Sequence, residues 1–398
     1  MASPTTPSRG PWVEVVTALA LGCTLVAGAL WWANPSEEKG SRQRPITLAG
    51  ALLADPRYVG STACRECHPG EHAFHTTSGH AQTLRRAGSL QLAARLNGRE
   101  TEDPDQTGVT WRYRREDGQL IAERRASGRV ERYPLEFALG SGQHAVTFLT
   151  RLDRGRDFPE GLEHRLTYFA HDDQMGLTPG QGPGTEEADR SPGGARLAAK
   201  VLLDCLECHG TPTARPKGGI DVTTLVPNVT CERCHGPGRE HVESARTGRA
   251  SPNELAMPFG PGRASGPEQV ALCGHCHRLP EMVPPETVRT DNLALARFPS
   301  VGLVQSACFQ GSRGVLTCTT CHDPHGRANK PAEAYEATCR KCHGPDRDES
   351  GPAAIVQKAR ACSVQPRSGC IDCHMPRRDV GHGMTFSDHW VRVHADLP

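Results

Sequence analysis

The chain has 398 residues, of which 46 are basic and 45 acidic, and its formal net charge is +1. That balance excludes the strongly basic surface of a nucleic-acid-binding protein, and 5% aromatic residues with 42 Gly and 32 Pro argue against a conventional core throughout the chain. The 17 Cys and 19 His point instead to cofactor chemistry.

The N-terminal residues predict a membrane anchor. The apolar run at 12–33 is interrupted by one acidic residue and ends in Trp31 and Trp32, which is typical of a bilayer-spanning helix with aromatic residues at the interface. Residues 1–11 would then stay in the cytoplasm. A small-x-small sequence at 27–29 leaves a second interpretation open, in which the segment is a cleaved signal peptide.

Polar residues 34–57 form a predicted linker, and a first module follows at 58–98. This module carries the pentapeptide C-x-x-C-H, which occurs six more times in the chain, where random placement gives fewer than one copy. The seven copies contain Cys64 and Cys67, Cys205 and Cys208, Cys231 and Cys234, Cys273 and Cys276, Cys318 and Cys321, Cys339 and Cys342, and Cys370 and Cys373. They end in His68, His209, His235, His277, His322, His343 and His374.

This spacing predicts covalently bound haem. Two thiols three positions apart can add to the two vinyl groups of a haem, and the histidine that follows is the proximal ligand of the iron. A zinc ribbon or a thiol redox motif also uses C-x-x-C, but neither requires a histidine directly after every second cysteine. We therefore expect seven covalently bound haem c groups, which would supply the apolar contacts that the aromatic-poor sequence lacks.

Residues 99–178 lack this pentapeptide and show a strand pattern instead. Alternating residues at 109–114, a Glu-Asp-Gly turn at 116–118 and further strand candidates at 145–149 and 165–170 predict a small antiparallel β-rich insert. Its expected role is structural cover.

A Pro/Gly-rich linker is predicted at 179–194, and residues 195–398 form a region with the other six motifs. Helices are predicted to lead into several motifs, at 196–205, from Pro267 onward and at 332–342. The expected fold is therefore mostly irregular, with short α-helices wrapped around a covalent haem stack, the β insert and an N-terminal transmembrane helix.

The same chemistry predicts the cellular compartment. Haem attachment to thiols and the survival of further cysteines belong to an oxidising space. This favours the periplasmic side of the cytoplasmic membrane, with a soluble periplasmic or secreted protein as the alternative after signal cleavage. Two spare cysteines of this exported part, Cys308 and Cys362, either form a disulfide or remain buried thiols.

Each iron also has a distal axial position. Twelve histidines remain after the proximal ligands, whereas the chain has only six Met, so ligation by two histidines is expected to be general. His325 follows His322 by three positions, and His241 follows His235 by six. Neither can return to the far face of its own iron, so each is expected to ligate a neighbouring haem.

A resemblance to a known family extends from about Tyr58 to the C-terminus. It is carried by the segments at 58–61, 78–80, 140–142, 231–241, 318–325, 373–376 and 388–390. These are similar to the multihaem cytochromes related to the tetrahaem cytochrome of nitrifiers and, more distantly, to hydroxylamine oxidoreductase. The resemblance implies distal ligation by His80, His241, His325 and His389, and position alone adds His144, His171 and His382 as candidates.

Two functions are compatible with these features. The favoured one is a heptahaem electron carrier with closely spaced, mainly bis-His haems and redox partner proteins that the sequence does not identify. The alternative is a multihaem oxidoreductase that acts on hydroxylamine or on a nitrogen or sulfur oxyanion at one open haem. No C-x-x-C-K motif is present, and hydroxylamine oxidoreductase has eight motifs where this chain has seven, which favours the carrier. With its propionates the oxidised holoprotein would carry a charge of about −6, so a partner with a basic face is expected.

Overall fold

The structure is a computed structural model. It describes residues 55–394, apart from 153–159, 183–189, 216–223, 249–250, 252–254, 256, 258, 261–262, 329 and 345–367. The predicted cytoplasmic N-terminus, membrane segment and nearly all of the first linker lie outside the described residues, as does Cys362. Within the part that is described, no helix is long and apolar enough to cross a membrane.

The strands, numbered in chain order, pair in antiparallel fashion throughout the described residues. An eight-stranded sheet runs in the order β1 (Leu84–Arg86), β6 (Phe137–Leu139), β7 (Ala145–Arg151), β8 (Gly161–His164), β12 (Gly194–Leu197) and β11 (Arg190–Ser191), while β9 (Leu166–Phe169) pairs with β7 and with β10 (Gln174–Leu177). A four-stranded sheet contains β2 (Glu100–Glu102), β3 (Thr110–Glu116), β4 (Gln119–Ala126) and β5 (Arg129–Leu135). Two short pairs are β13 (Gly210–Thr211) with β14 (Val226–Pro227), and β15 (Arg377–Asp379) with β16 (Thr385–Ser387).

The hairpin predicted around residues 116–118 is confirmed. Glu116 pairs with Gln119 across a two-residue turn, in which Asp117 has a φ of 47° and Gly118 a φ of 76°. Positive φ at both central positions is the geometry of a type I′ turn, whose twist matches that of the flanking strands. The strands predicted at 145–149 and 165–170 are present as β7 and β9.

The eight-stranded sheet extends beyond the predicted insert. Strand β1 comes from the first haem module, and β11 and β12 come from the end of the predicted Pro/Gly linker and the residues that follow it. Gly194 makes this possible, since its φ is 142° and a Cβ at this position would lie 2.0 Å from the Glu163 carbonyl oxygen. The glycine therefore lets the chain pair closely with β8 where composition suggests a linker.

The apolar core sits in and beside this β structure. Trp111, Tyr113 and Phe148 are fully buried in one cluster, and Leu202 and Leu206 are buried in a second that joins the sheet to the helix leading into the second motif. In the haem-motif region beyond it, the described apolar cluster is small and centres on Val283, Leu295 and Val301.

The helices of the described residues are short, and many contain or end at a haem motif. They are α1 (Ser61–Arg65), α2 (Pro69–Thr76), α3 (Gln91–Leu96), α4 (Ala199–His209), α5 (Cys231–His235), α6 (Arg239–Thr247), α7 (Gly266–His277), α8 (Pro299–Gln305), α9 (Ala307–Gly311), α10 (Cys318–Cys321), α11 (Ala332–His343) and α12 (Cys370–His374). The three predicted helices correspond to α4, α7 and α11. Helix α7 begins at a capping box between Ser265 and Glu268, with a proline in the first turn.

Candidate haem-binding sites

Local helical structure brings the two cysteines and the histidine of each motif together. In the third motif the whole pentapeptide forms α5, and in the second, fourth and sixth motifs the histidine is the last residue of a longer helix. In the first motif the His68 amide donates to the Cys64 carbonyl over 2.9 Å, which completes a helical turn. All 14 motif cysteines are at least partly exposed to solvent, which suits the attachment of a haem.

Four proximal histidines each face a second imidazole. The ring centres of His68 and His241 are 6.3 Å apart, and those of His235 and His325 are 6.2 Å apart with planes 8° from parallel. The ring centres of His277 and His80 are 6.1 Å apart with planes 72° from parallel, and those of His322 and His389 are 6.0 Å apart with planes 34° from parallel.

These separations fit an iron atom between the rings. An imidazole nitrogen lies about 2 Å from a bound metal and about 1.1 Å from its own ring centre, so two axial imidazoles should have centres about 6 Å apart. The four gaps are therefore of the size that a two-histidine haem requires.

The second nitrogen of each facing histidine is engaged in a way that suits iron binding. Nδ1 of His241 donates to the Leu255 carbonyl over 2.6 Å, and Nδ1 of His325 donates to the Asp323 carboxylate over 3.1 Å. Nδ1 of His80 and of His389 donate to the backbone carbonyls of Pro324 and Ser387, over 3.2 and 3.0 Å respectively. Because Nδ1 carries the proton in each ring, Nε2 keeps its lone pair for a metal.

Burial keeps several of these rings neutral. It lowers the pKa of both His277 and His322 to about 4, with further contributions from neighbouring imidazoles. Burial also lowers the pKa of His235 and of His389. Only the neutral ring can ligate iron, so these sites bind metal without a large cost of deprotonation near neutral pH.

The other three distal-ligand candidates predicted from the sequence have different neighbours. His144 packs its ring on Phe386 at 4.6 Å, and His382 stacks on Phe169 at 5.1 Å. Nε2 of His171 lies 3.3 Å from the Asp172 carboxylate. The described residues bring none of these three rings opposite a proximal histidine, because all three sit where the β15–β16 hairpin meets the β insert.

Two further proximal histidines are oriented by backbone carbonyls. Nδ1 of His209 donates to the Thr83 carbonyl over 3.0 Å, and Nδ1 of His374 donates to the Arg392 carbonyl over 3.1 Å. Among the described residues, neither ring has an imidazole placed across it as in the four pairs above.

The motifs also contact one another. The thiols of Cys64 and Cys231 are within hydrogen-bonding reach, which joins the first motif to the third, and Cys273 and Cys318 join the fourth to the fifth in the same way. The buried Glu232 carboxylate strengthens the first contact, since it accepts hydrogen bonds from the amides of Val59, Gly60 and Gly238. Nothing in the sequence pattern marks Glu232, because it is one of the two variable residues of its motif.

Comparison with known proteins supports the haem interpretation. The family "Cytochrome c554 and c-prime" matches residues 184–236, which contain the second and third motifs, and the family "Doubled CXXCH motif" matches residues 312–348, which contain the fifth and sixth. No curated protein matches the chain. The crystal structure of the outer cell wall cytochrome OcwA is similar over 84% of this chain and 80% of that one, with 16% identity. Its TM-score of 0.40 does not establish a common fold.

The motifs and the two matched segments support a multihaem c-type cytochrome with covalently bound haem c. The predicted resemblance to multihaem cytochromes is thereby supported, whereas the link to hydroxylamine oxidoreductase stays a prediction.

Proposed function

We propose that the chain is a heptahaem electron carrier, in which most irons are held by two histidines. The observation that carries the proposal is the set of four facing imidazole pairs, each about 6 Å apart. An iron with two imidazole ligands has no position left for a substrate. Such a centre changes oxidation state without binding a substrate, which suits electron transfer.

When bound, haem supplies an iron that alternates between the ferric and ferrous states. The chain's own residues would attach the haem and orient the ligands of its iron. The pentapeptides hold the cofactor covalently, and the carbonyls of Leu255, Pro324 and Ser387 fix the orientation of the distal imidazoles. The contacts between motifs would make the haems of the first and third motifs, and of the fourth and fifth, close neighbours.

The location and the partners belong to the same proposal. We place the haem-bearing part on the periplasmic side of the cytoplasmic membrane, held by the N-terminal segment, with a soluble or secreted form as the alternative. The negative charge that the propionates add favours a redox partner with a basic docking face.

An oxidoreductase with one open haem is the second candidate. It is favoured by His209 and His374, whose described surroundings lack a facing imidazole. An iron that is open on its distal side could bind a small anion or hydroxylamine.

Spectroscopy of the full-length holoprotein distinguishes the two functions. A haemochrome assay should return seven haems per chain, and a value of five or fewer would contradict the heptahaem proposal. Paramagnetic resonance of the oxidised protein should then show low-spin ferric haems. A high-spin signal of about one haem that shifts on addition of nitrite, hydroxylamine or cyanide would favour the enzyme. Because spin coupling can hide a signal, ligand-binding difference spectra provide the second readout.

A further inference from the structure

One carboxylate of a haem motif contacts residues from two other haem motifs. Glu207 is the second variable residue of the second motif, and its Oε1 atom lies 3.2 Å from Nε2 of His275 in the fourth motif. The same oxygen lies 4.0 Å from the guanidinium of Arg233 in the third motif, and that guanidinium also donates to the Glu207 backbone carbonyl over 3.4 Å. Arg215, outside the motifs, donates to Oε1 over 2.6 Å.

This carboxylate lies beside the sulfur atoms that would attach the haems. Sγ of Cys208 lies 3.9 Å from the His275 carbonyl, and Sγ of Cys276 lies 4.0 Å from the Arg233 guanidinium. The side chain of Glu207 is only 20% exposed, so water screens its charge less than it screens a surface charge.

The charged side chains around Glu207 differ in how exposed they are to solvent. Arg215 is 44% exposed, whereas the side chains of Glu207 and Arg233 are 20% and 18% exposed. Two guanidinium groups and an imidazole surround the Glu207 carboxylate, so Arg215 and Arg233 are the nearest positive charges to it. Reduction of a haem adds one electron, so a nearby negative charge opposes reduction and a nearby positive charge assists it.

We propose that Glu207 sets the reduction potentials of the haems on the second, third and fourth motifs together. The inference rests on the haem-carrier function proposed above. The Glu207 carboxylate acts on all three haem sites through its negative charge and does not ligate iron. Loss of the charge should raise the three potentials as a group, and loss of its counter-ion Arg215 should lower them.

The test is a spectroelectrochemical titration of full-length holoprotein with seven haems, as established first by the haemochrome assay. In Glu207→Gln, which keeps an oxygen that accepts from Arg215, about three-sevenths of the absorbance change should move to higher potential, and in Arg215→Gln the same fraction should move to lower potential. Glu66→Gln is the matched control, since Glu66 holds the same position in the first motif but pairs with Arg246 alone and is 57% exposed. Its titration should overlay that of the unaltered protein.

Each outcome decides the proposal. Titrations of Glu207→Gln and Arg215→Gln that overlay the unaltered curve would overturn it, as would a shift of equal size in Glu66→Gln. If Glu207→Gln fails to acquire haem, Arg215→Gln alone decides, and the absence of a shift to lower potential overturns the inference. A low haem count in the unaltered protein would instead contradict the proposed function.

Discussion

Removal of one distal histidine is the sharpest test of the iron ligation. His241 faces His68 at 6.3 Å and is fixed through Nδ1 by the Leu255 carbonyl. In His241→Ala the iron of the first motif would lose its distal ligand, while the proximal His68 and both cysteines remain. Since one pair serves one iron, we expect one-seventh of the ferric haem to change from low spin to high spin.

Paramagnetic resonance and the high-spin charge-transfer band measure this fraction, and imidazole added to the variant should return the spectrum to low spin by entering the vacated position. The matched control is His144→Ala, because His144 packs on Phe386 and faces no proximal histidine among the described residues. A fully low-spin spectrum for His241→Ala, or an equal high-spin fraction in the control, would refute the assignment.

Three further predictions follow from other parts of the chain. Cys67→Ser should lower the haem count by about one per chain, and an unchanged count would contradict attachment at that sulfur. Asp103 is buried and accepts two hydrogen bonds, of 2.6 and 3.0 Å, from the equally buried Arg165. The substitution Asp103→Asn should therefore destabilise the insert by about 3 kcal/mol. Faster hydrogen exchange of strands β3 and β4 would measure this loss. Burial lowers the pKa of His164 from 6.5 to about 3, so the unfolded state takes up this proton first as the pH falls. The insert should therefore keep its full stability above about pH 6.5 and lose it progressively toward pH 3, and His164→Gln should flatten that slope in denaturation measurements.

The sequence predicts the features that depend on neighbours in the chain. The Asp117-Gly118 turn, the helix start near Pro267 and the helices that lead into the motifs are all local, and each is present in the structure. The offsets of His241 and His325 also predict that neither ring returns to its own motif, because a short connection cannot reach around a haem. The structure places them instead opposite His68 and His235.

The features that sequence reasoning missed depend on tertiary placement. His80 is a predicted distal ligand, but its position opposite His277 was missed because about half the length of the chain separates the two residues and no spacing rule connects them. Glu207 and Glu232 occupy variable positions of their motifs, where any residue is compatible with haem attachment. Their roles become visible only when the partner motifs are seen beside them.

The position of β1 shows that the insert does more than cover the haems. Leu84 pairs with Leu139 of the insert and is 1% exposed, so the register of this strand is fixed by buried apolar contacts. The preceding residue, Thr83, offers the carbonyl that orients His209, and His80 lies three positions earlier opposite His277. The apolar contacts that haem is expected to supply are therefore needed most in the motif region, where the described apolar cluster is small. The sheet has a core of its own, and that core fixes the strand that follows His80 and the Thr83 carbonyl that His209 contacts.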